Sequence, residues 1–169
     1  RMVLGVANVW NRGKGLDDMI ALSEMLPGDM RVVLAGLSPS QLRRLPASVT
    51  GIAHTEGVAE LARLYSRATV FVNPTWEDNF PTTNIEALAC GTPVITYRTG
   101  GSPEAVDAAT GMVVPRGDLV ALVGAVKEIA SCSTEALREQ CRVRALALYD
   151  KKERYTEYIA LYEDLLRTL

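Results

Sequence analysis

The segment TVFVNPTWEDNFPTTNIEALACGTPVITYR, residues 69–98, contains two apolar, β-branched runs separated by a polar turn and a short helical pattern. The runs at residues 69–74 and 93–98 predict buried strands, and the helical pattern between them stops at Gly91. A strand, a crossover helix and a second strand form the unit from which parallel sheets are built. The segment therefore predicts an α/β fold, and it places two acidic residues, Asp78 and Glu86, beyond its first strand.

The same alternation of strands and helices extends on both sides of this segment. Further strands are predicted at residues 2–9, 31–36, 49–54 and 111–115. Helices are predicted at residues 16–26, 38–45 and 58–68, and helical sequence follows from residue 118 to the end. Because these apolar strands lack a polar face, we expect a Rossmann-like, doubly wound parallel sheet of about six strands with helices on both faces. Ligands of such sheets bind beyond the carboxyl ends of the strands, so the loops there are the candidate sites.

Length and composition indicate one α/β domain over residues 1–169, with 48% hydrophobic residues to form its core. The formal net charge of −2 lacks the basic excess that is typical of nucleic-acid-binding proteins. The three cysteines lack metal-ligand spacing, and we interpret them as reduced thiols of a cytoplasmic protein. No apolar run approaches the ~18 residues of a membrane span.

Two glycine-containing loops follow predicted strands. The first reads NVWNRGKG, residues 8–15, and places Lys14 near a helix start. A lysine and free N–H groups there suit a phosphate, whereas a solvated surface lysine is the alternative interpretation. The loop after residues 93–98 contains Gly100 and Gly101, which either allow a ligand to approach the backbone closely or form a turn. Spacing alone leaves these alternatives open.

The loop and helix that follow residues 69–74 carry the clearest indication of a ligand. Backbone N–H groups near residues 82–84 and the helix dipole favour an anion such as a phosphate. Further along, Glu86 can accept two hydrogen bonds from a vicinal diol such as that of a ribose, and Asp78 can meet a second hydroxyl-bearing group. Together these features predict a nucleotide sugar. The alternative interpretation needs no ligand: Glu86 would interact only with the helix dipole, and Asp78 would lie in a surface turn.

The stretch FVNPTWEDNFPTTNIEALACGTPVITYRTGGSPE, residues 71–104, resembles the donor-binding signature of the retaining glycosyltransferases known as family four or group one. That signature has a Glu, seven residues, and a second Glu followed by Ala and, shortly after, Gly-Thr-Pro-Val, which Asp78 and EALACGTPV match. Further motifs at residues 14–15, 60–74, 100–104 and 111–118 fall in the family's order. The resemblance covers nearly the whole chain and implies one half of a GT-B architecture, in which two Rossmann-like domains enclose the active site.

The resemblance implies donor contacts in several loops. Lys14 would hold the donor diphosphate, and Thr82 and Thr83 would meet the phosphate at the helix start. Glu86 would bind the ribose hydroxyls, and Thr55 lies where the family holds the base. No metal or other cofactor is expected, because Lys14 and the helix dipole would stabilise the leaving diphosphate.

The resemblance also implies the reaction. Asp78 would contact the transferred sugar, with the backbone N–H groups of Asn79 and Phe80 beside it. A hexose would pass from a UDP- or GDP-linked donor to an acceptor hydroxyl with retention at the anomeric carbon. An acceptor glycan or glycolipid would bind through an N-terminal domain absent from this chain, in polysaccharide or glycolipid synthesis. We therefore expect the isolated chain to bind donor without transferring sugar. We expect a cytoplasmic protein, with peripheral association at the inner membrane face left open.

Three positions depart from the family pattern. Asn8 stands where the family usually has an Arg six residues before the Lys, so either Arg12 replaces that charge or the phosphate is held more weakly. Asp78 is one methylene shorter than the usual Glu, which would shift the preferred sugar. Pro81 stands where Gly is frequent and removes one N–H donor.

Other interpretations stay open beside this one. They are a nucleotide-sugar epimerase or a sugar phosphorylase on the same architecture, and a non-catalytic nucleotide-binding module. His54, the single histidine, is interpreted as a packed or hydrogen-bonded structural residue, with a base contact as the alternative. The Tyr-rich tail at residues 154–166 has an amphipathic helical period, which predicts packing against the core or, by resemblance, a return toward the missing domain.

Overall fold

Six strands and seven α-helices occur within residues 1–168, the part of the chain that the computed structural model describes. The strands are β1 (Met2–Val6), β2 (Arg31–Ala35), β3 (Val49–Ile52), β4 (Val70–Asn73), β5 (Val94–Tyr97) and β6 (Gly111–Val114). The helices are α1 (Leu16–Met25), α2 (Pro39–Leu42), α3 (Val58–Arg67), α4 (Thr82–Ala89), α5 (Leu119–Cys132), α6 (Glu135–Tyr149) and α7 (Lys151–Arg167). Turns of 3-10 helix lie at Arg12–Lys14 and Ser102–Ala105.

All six strands run parallel in one sheet with the order β3-β2-β1-β4-β5-β6. In β1, Val3 is in register with Val32 of β2 on one side and with Val70 of β4 on the other. The chain therefore builds one half of the sheet outward from β1, then returns to the other side of β1 to build the second half. This reversal opens a crevice at the carboxyl ends of β1 and β4. The predicted doubly wound, Rossmann-like fold is confirmed.

Helices cover both faces of the sheet, as strands without a polar face require. On one face α1 and α5 bury Met19 and Leu122 against the strands. On the other face α3, α4 and α6 bury Tyr65, Leu88 and Cys141. Burying a large apolar side chain contributes roughly 1.5–3 kcal/mol, so both layers hold the sheet rigid beneath its loops.

Two elements are shorter by three or more residues than their sequence patterns predicted. β1 ends at Val6, three residues early, because the chain turns back and Trp10 donates from Nε1 to the Ala35 carbonyl at 2.7 Å. Helix α2 covers only four of the eight residues predicted for it, and Ser38 and Gln41 form a capping box at its start. The early end of β1 leaves more loop at the carboxyl edge of the sheet.

Helix α7 does not pack into the core, so the first interpretation of the Tyr-rich tail was wrong. From Lys151 to Thr168 each residue is exposed except Arg154, which is partly buried. Its Tyr and Leu side chains have the spacing of a helix with one apolar face, but α6 already covers this side of the sheet with Cys141 and Ala145. None of the helices within residues 1–168 combines the length and apolar character needed to cross a membrane.

Candidate functional site

Two adjoining cavities lie at the carboxyl ends of the strands, where the strand order reverses. Their volumes are about 440 and 390 Å³, and both are lined by the end of β1 and by Thr82 and Thr83 at the start of α4. One elongated ligand could therefore occupy both cavities and pass over the N-terminus of α4. This is the position that the sheet topology predicts for a ligand.

The larger cavity, which we call the β2–β3 cavity, is lined by the loops after β1, β2 and β3. Glu86 of α4 and Thr55 beyond β3 line it together, although 31 positions separate them in the sequence. His54 also lines this cavity and is exposed, so its interpretation as a packed residue was wrong. The tight contact between β1 and β2 depends on Gly36, because a Cβ at its φ of +94° would collide with the Ala7 carbonyl oxygen.

The smaller cavity, which we call the β1–β4 cavity, is lined by Lys14, Asp78 and Phe80 in addition to the shared residues. Lys14 donates from Nζ to Oδ2 of Asp78 at 2.5 Å, so the two residues expected to act on the donor form an ion pair. The Lys14 side chain is 38% exposed and the Asp78 side chain 17% exposed. Because solvent still reaches both side chains, this partly buried pair is worth on the order of 1 kcal/mol. An incoming anion could replace Asp78 as the partner of Lys14.

Contacts between the loop after β1 and the loop after β4 hold Lys14 in place. Asn11 caps the 3-10 turn by accepting a hydrogen bond from the Lys14 amide at 2.9 Å. The Trp76 amide donates to the Gly13 carbonyl at 2.8 Å, which joins the loop after β4 to the loop after β1. Gly15 has φ +74°, and a Cβ there would collide with the Pro74 carbonyl oxygen. Two loops that are distant in sequence thus form one wall of the β1–β4 cavity.

The start of α4 presents backbone N–H groups without a side-chain cap. Its N-cap residue is Pro81, which has no capping side chain to accept from the first turn. Beneath it, Asn73 donates from Nδ2 to Oδ1 of Asn84 at 2.9 Å, and Asn84 donates from Nδ2 to the Ser102 carbonyl at 3.2 Å. These buried amides fix the helix start against β4. The uncapped N–H groups and the positive end of the helix dipole make the shared wall suitable for an anion.

Tyr65 is a site residue that sequence reasoning missed. It is 1% exposed, and its hydroxyl donates to Oε2 of Glu86 at 3.0 Å. Burial raises the pKa of Tyr65, and the nearby Glu86 charge raises it further, so the phenol stays protonated as a donor. The sequence identified Tyr65 only as part of the helix predicted at residues 58–68. Its contact with Glu86 depends on the packing of α3 against α4, which could not be predicted from the sequence.

Four of the predicted positions lie outside both cavities. Arg12 is exposed and lines neither one, and Asn79 also lies outside their linings. Gly100 and Gly101 approach the backbone of the Asp78 loop: a Cβ at Gly100 would collide with the Asp78 carbonyl oxygen, and the Gly101 amide donates to the Asn79 carbonyl at 2.9 Å. The two glycines therefore hold the loop that carries Asp78, and their contact with a ligand stays a prediction.

Within residues 1–168, no group of three or more His, Cys, Asp and Glu side chains is arranged to hold a metal ion. The candidate site is instead defined by hydrogen-bonding groups and single charges. Glu86 and Thr55 lie in the β2–β3 cavity, Lys14 and Asp78 in the β1–β4 cavity, and the α4 N-terminus between them. This arrangement can bind hydroxyl groups at either end and an anion in the middle.

Comparisons with known proteins point to one family. The profile of the family described as glycosyl transferases group 1 matches residues 1–132. The D-inositol 3-phosphate glycosyltransferase of Mycobacteroides abscessus is 34% identical over 115 residues, which are 60% of this chain and 26% of that protein. The protein of the same name from Streptomyces bingchenggensis is 49% identical over 57 residues, which are 33% of this chain and 12% of that protein.

Solved structures share the fold over almost the full chain. Sucrose-phosphate synthase from Thermosynechococcus elongatus has a TM-score of 0.84 and 28% identity, covering 99% of this chain and 46% of that one. The Anabaena protein HepE, in complex with UDP-glucose, has a TM-score of 0.80 and 19% identity, covering 99% of this chain and 49% of that one. The chain thus spans about a quarter of the first relative and about half of each solved chain.

Proposed function

Because the chain belongs to the glycosyl transferases group 1 family, we propose that it is the donor-binding domain of a retaining hexosyltransferase. The donor would be a UDP- or GDP-linked sugar, and the product a glycoside formed on an acceptor hydroxyl. The observation that carries the proposal is the pair of adjoining cavities with the uncapped N-terminus of α4 between them. A nucleotide sugar has the matching order of groups: base and ribose, diphosphate, sugar.

In the proposed complex the β2–β3 cavity holds the nucleoside. Glu86 would accept hydrogen bonds from the two ribose hydroxyls, while Tyr65 keeps one carboxylate oxygen in a fixed position. Thr55 and His54 lie at the far side of the same cavity, where the base would lie. The complex of HepE with UDP-glucose makes a uridine donor a first candidate, although that protein shares only 19% identity with this chain.

The diphosphate would lie between Lys14 and the first turn of α4. Asp78 is the ion-pair partner of Lys14, so a diphosphate would compete with Asp78 for that ammonium group. Release of Lys14 would leave the Asp78 carboxylate free to accept hydrogen bonds from the sugar hydroxyls. We propose that Lys14 and the helix dipole stabilise the charge on the leaving diphosphate without a metal ion, because both point charge and dipole are already in place there.

The acceptor and the setting of the reaction are further parts of the proposal. Since the chain spans about a quarter of the first curated relative, the acceptor site is proposed to lie on another domain of a longer protein. The acceptor would be a glycan or glycolipid. The proposed location is the cytoplasm, which the three free cysteines support. Peripheral membrane association of the longer protein would be supported by the exposed apolar face of α7. The isolated chain is expected to bind donor and to show no turnover.

Thermal unfolding with UDP, GDP, CDP and ADP tests the donor-binding proposal. A ligand at about 100 times its Kd adds ~2.7 kcal/mol to the free energy of unfolding. For a domain of this size that corresponds to a rise in Tm of about 5–11 °C. We expect one nucleoside diphosphate to give this rise and Glu86→Ala to remove most of it. Each variant is compared with its own ligand-free Tm, because loss of Glu86 also leaves the Tyr65 hydroxyl without its partner.

Glu24→Ala is the matched control. Glu24 is an exposed residue of α1 outside both cavities, so this variant removes the same charge and should keep the ligand-induced rise. A rise that survives in Glu86→Ala would contradict the ribose role of Glu86. The absence of a rise with all four diphosphates would contradict donor binding by this domain.

A further inference from the structure

A third depression, which we call the arginine basin, adjoins the candidate site at Asp78. Its volume is about 720 Å³, and it is lined by residues from the ends of β4, β5 and β6, among them Glu77, Asp78, Arg98 and Arg116. Asp78 lines both this basin and the β1–β4 cavity. A sugar held at Asp78 would therefore lie beside the basin, within reach of groups that the basin binds.

Arg98 and Arg116 supply the positive charge of the basin. Within residues 1–168, neither Arg98 nor Arg116 has a carboxylate oxygen within 4.0 Å. Glu77 lines the same basin but does not reach either guanidinium at that distance. Two cations beside one unpaired carboxylate leave donor groups free, and guanidinium groups bind carboxylates and phosphates through paired hydrogen bonds.

Rigid elements position both arginines. The guanidinium carbon of Arg116 lies 5.4 Å from the centre of the Trp76 ring, in a cation–π arrangement. Trp76 itself is fixed, because it donates from Nε1 to Oδ2 of Asp18 at 2.7 Å and packs edge-on against Tyr97. Arg98 follows β5 directly, and its amide donates to the Val114 carbonyl at 2.9 Å. The basin is thus part of the folded scaffold.

We propose that the arginine basin is an anion subsite, and that a group bound beside Asp78 carries a carboxylate or a phosphate. The inference rests on the proposed donor-binding function, since Asp78 is taken there to face the transferred sugar. The anionic group could belong to the donor sugar or to the acceptor. Both sources present the same chemistry to Arg98 and Arg116.

Isothermal titration distinguishes the two sources. The reference ligand is the nucleoside diphosphate that stabilises the chain most. In the donor arm, its glucose and glucuronate derivatives are compared. In the acceptor arm, glucose 6-phosphate is compared with glucose while the nucleoside diphosphate is saturating. We expect the anionic member of one pair to bind about fivefold more tightly or better, and the preference to shrink as NaCl is raised, because the arginines are exposed.

Three variants make the test specific. The double variant Arg98→Gln/Arg116→Gln should lose the preference for the anionic ligand, while Arg43→Gln/Arg44→Gln makes the same change in charge on exposed residues outside the basin and should keep it. Glu77→Gln should enlarge the preference, because it removes the carboxylate that opposes an anion.

Equal binding within both ligand pairs, or a preference that persists in the double variant, would overturn the anion subsite. If the chain binds a nucleoside diphosphate but shows neither preference, this inference fails while the proposed function stands. If the chain binds no nucleoside diphosphate at all, the proposed function fails and the anion subsite falls with it.

Discussion

Tyr65 determines how Glu86 is presented to the β2–β3 cavity. Its buried hydroxyl donates to one carboxylate oxygen at 3.0 Å, which leaves the other oxygen free to accept from a ligand. The aromatic ring of Tyr65 is held in turn by an edge-on contact with Phe71 at 5.4 Å between ring centroids. A carboxylate fixed in this way loses less conformational freedom when it binds a diol.

The variant Tyr65→Phe should therefore weaken binding through the ribose. We expect the affinity for the best nucleoside diphosphate to fall about 3- to 10-fold, the equivalent of one hydrogen bond of ~0.5–1.5 kcal/mol. The affinity for the 2′-deoxy form should fall less, because that ligand lacks one of the hydroxyls that Glu86 would bind. Isothermal titration of the ribo and deoxy ligands measures the difference.

Tyr97→Phe provides the control for this prediction. Tyr97 is another buried tyrosine, but it lies near Asp18 and lines neither cavity, so its loss should leave both affinities unchanged. An equal loss of ribo and deoxy binding in Tyr65→Phe would show that Tyr65 acts through stability of the fold alone.

Among the elements, the loops after β1 and β4 depend on each other at Gly15. Its positive φ and the nearby Pro74 carbonyl exclude a side chain. We expect Gly15→Ala to lower the free energy of unfolding by more than about 1 kcal/mol, through left-handed strain and displacement of the Pro74 loop. Because Lys14 directly precedes Gly15 in the chain, the affinity for a nucleoside diphosphate should fall as well.

The opposite substitution effect is expected in α5. Gly124 is an exposed helix residue, and a Cβ there would meet nothing within 4 Å, so Gly124→Ala should raise stability by about 0.5–1 kcal/mol and leave binding unchanged. Urea denaturation of the two variants measures both effects. A neutral or stabilising result for Gly15→Ala would contradict the close approach of the two loops.

The elements were predictable from sequence because the strands are mostly apolar, β-branched runs and the turns between them carry Gly, Pro or a polar cluster. The sequence predicted a doubly wound sheet but not its strand order, because nothing in the sequence of β1 shows that it pairs with both β2 and β4. The early end of β1 was not predictable, because the hydrogen bond of Trp10 to Ala35 joins positions 25 residues apart.

The candidate site was likewise predictable only in part. Lys14, Asp78, Glu86 and Thr55 were found from loop position and motif, and the structure gathers them at one edge of the sheet. The ion pair between Lys14 and Asp78 joins positions 64 apart and required the fold. Gly100 and Gly101 carry a conformational signal that does not say whether a ligand or another loop fills the space. The sequence therefore indicates which residues are available, while packing decides what each one contacts.

At the scale of the whole molecule, the chain divides into a packed α/β body and an exposed terminal helix. The body ends with α6, which buries Cys141 and Ala145 and whose Arg144 bridges to Asp107 at 2.6 Å. Helix α7 begins after Asp150, which caps it, and buries none of its residues. Its apolar side chains include Tyr155, Tyr158, Ile159, Tyr162 and Leu166, all more than half exposed.

Removal of residues 151–169 should therefore leave the body nearly as stable as before. We expect the free energy of unfolding to change by less than about 1 kcal/mol, because exposed positions contribute within about ±0.5 kcal/mol each and an isolated helix of this length is marginal in water. Urea denaturation followed by tryptophan fluorescence measures the body directly, since Trp10 is buried in it and Trp76 packs against its core. Solubility should rise, because an apolar helix face is removed.

A longer truncation, which removes residues 133–169, supplies the contrast. It also deletes α6, which packs against α4 and shares a core cluster with Leu88, so it should abolish the cooperative transition. A loss of more than about 2 kcal/mol from the shorter truncation would show that α7 packs against the body in solution. A small loss from the shorter truncation with collapse after the longer one would place the boundary of the folding unit between α6 and α7, and the donor site entirely within that unit.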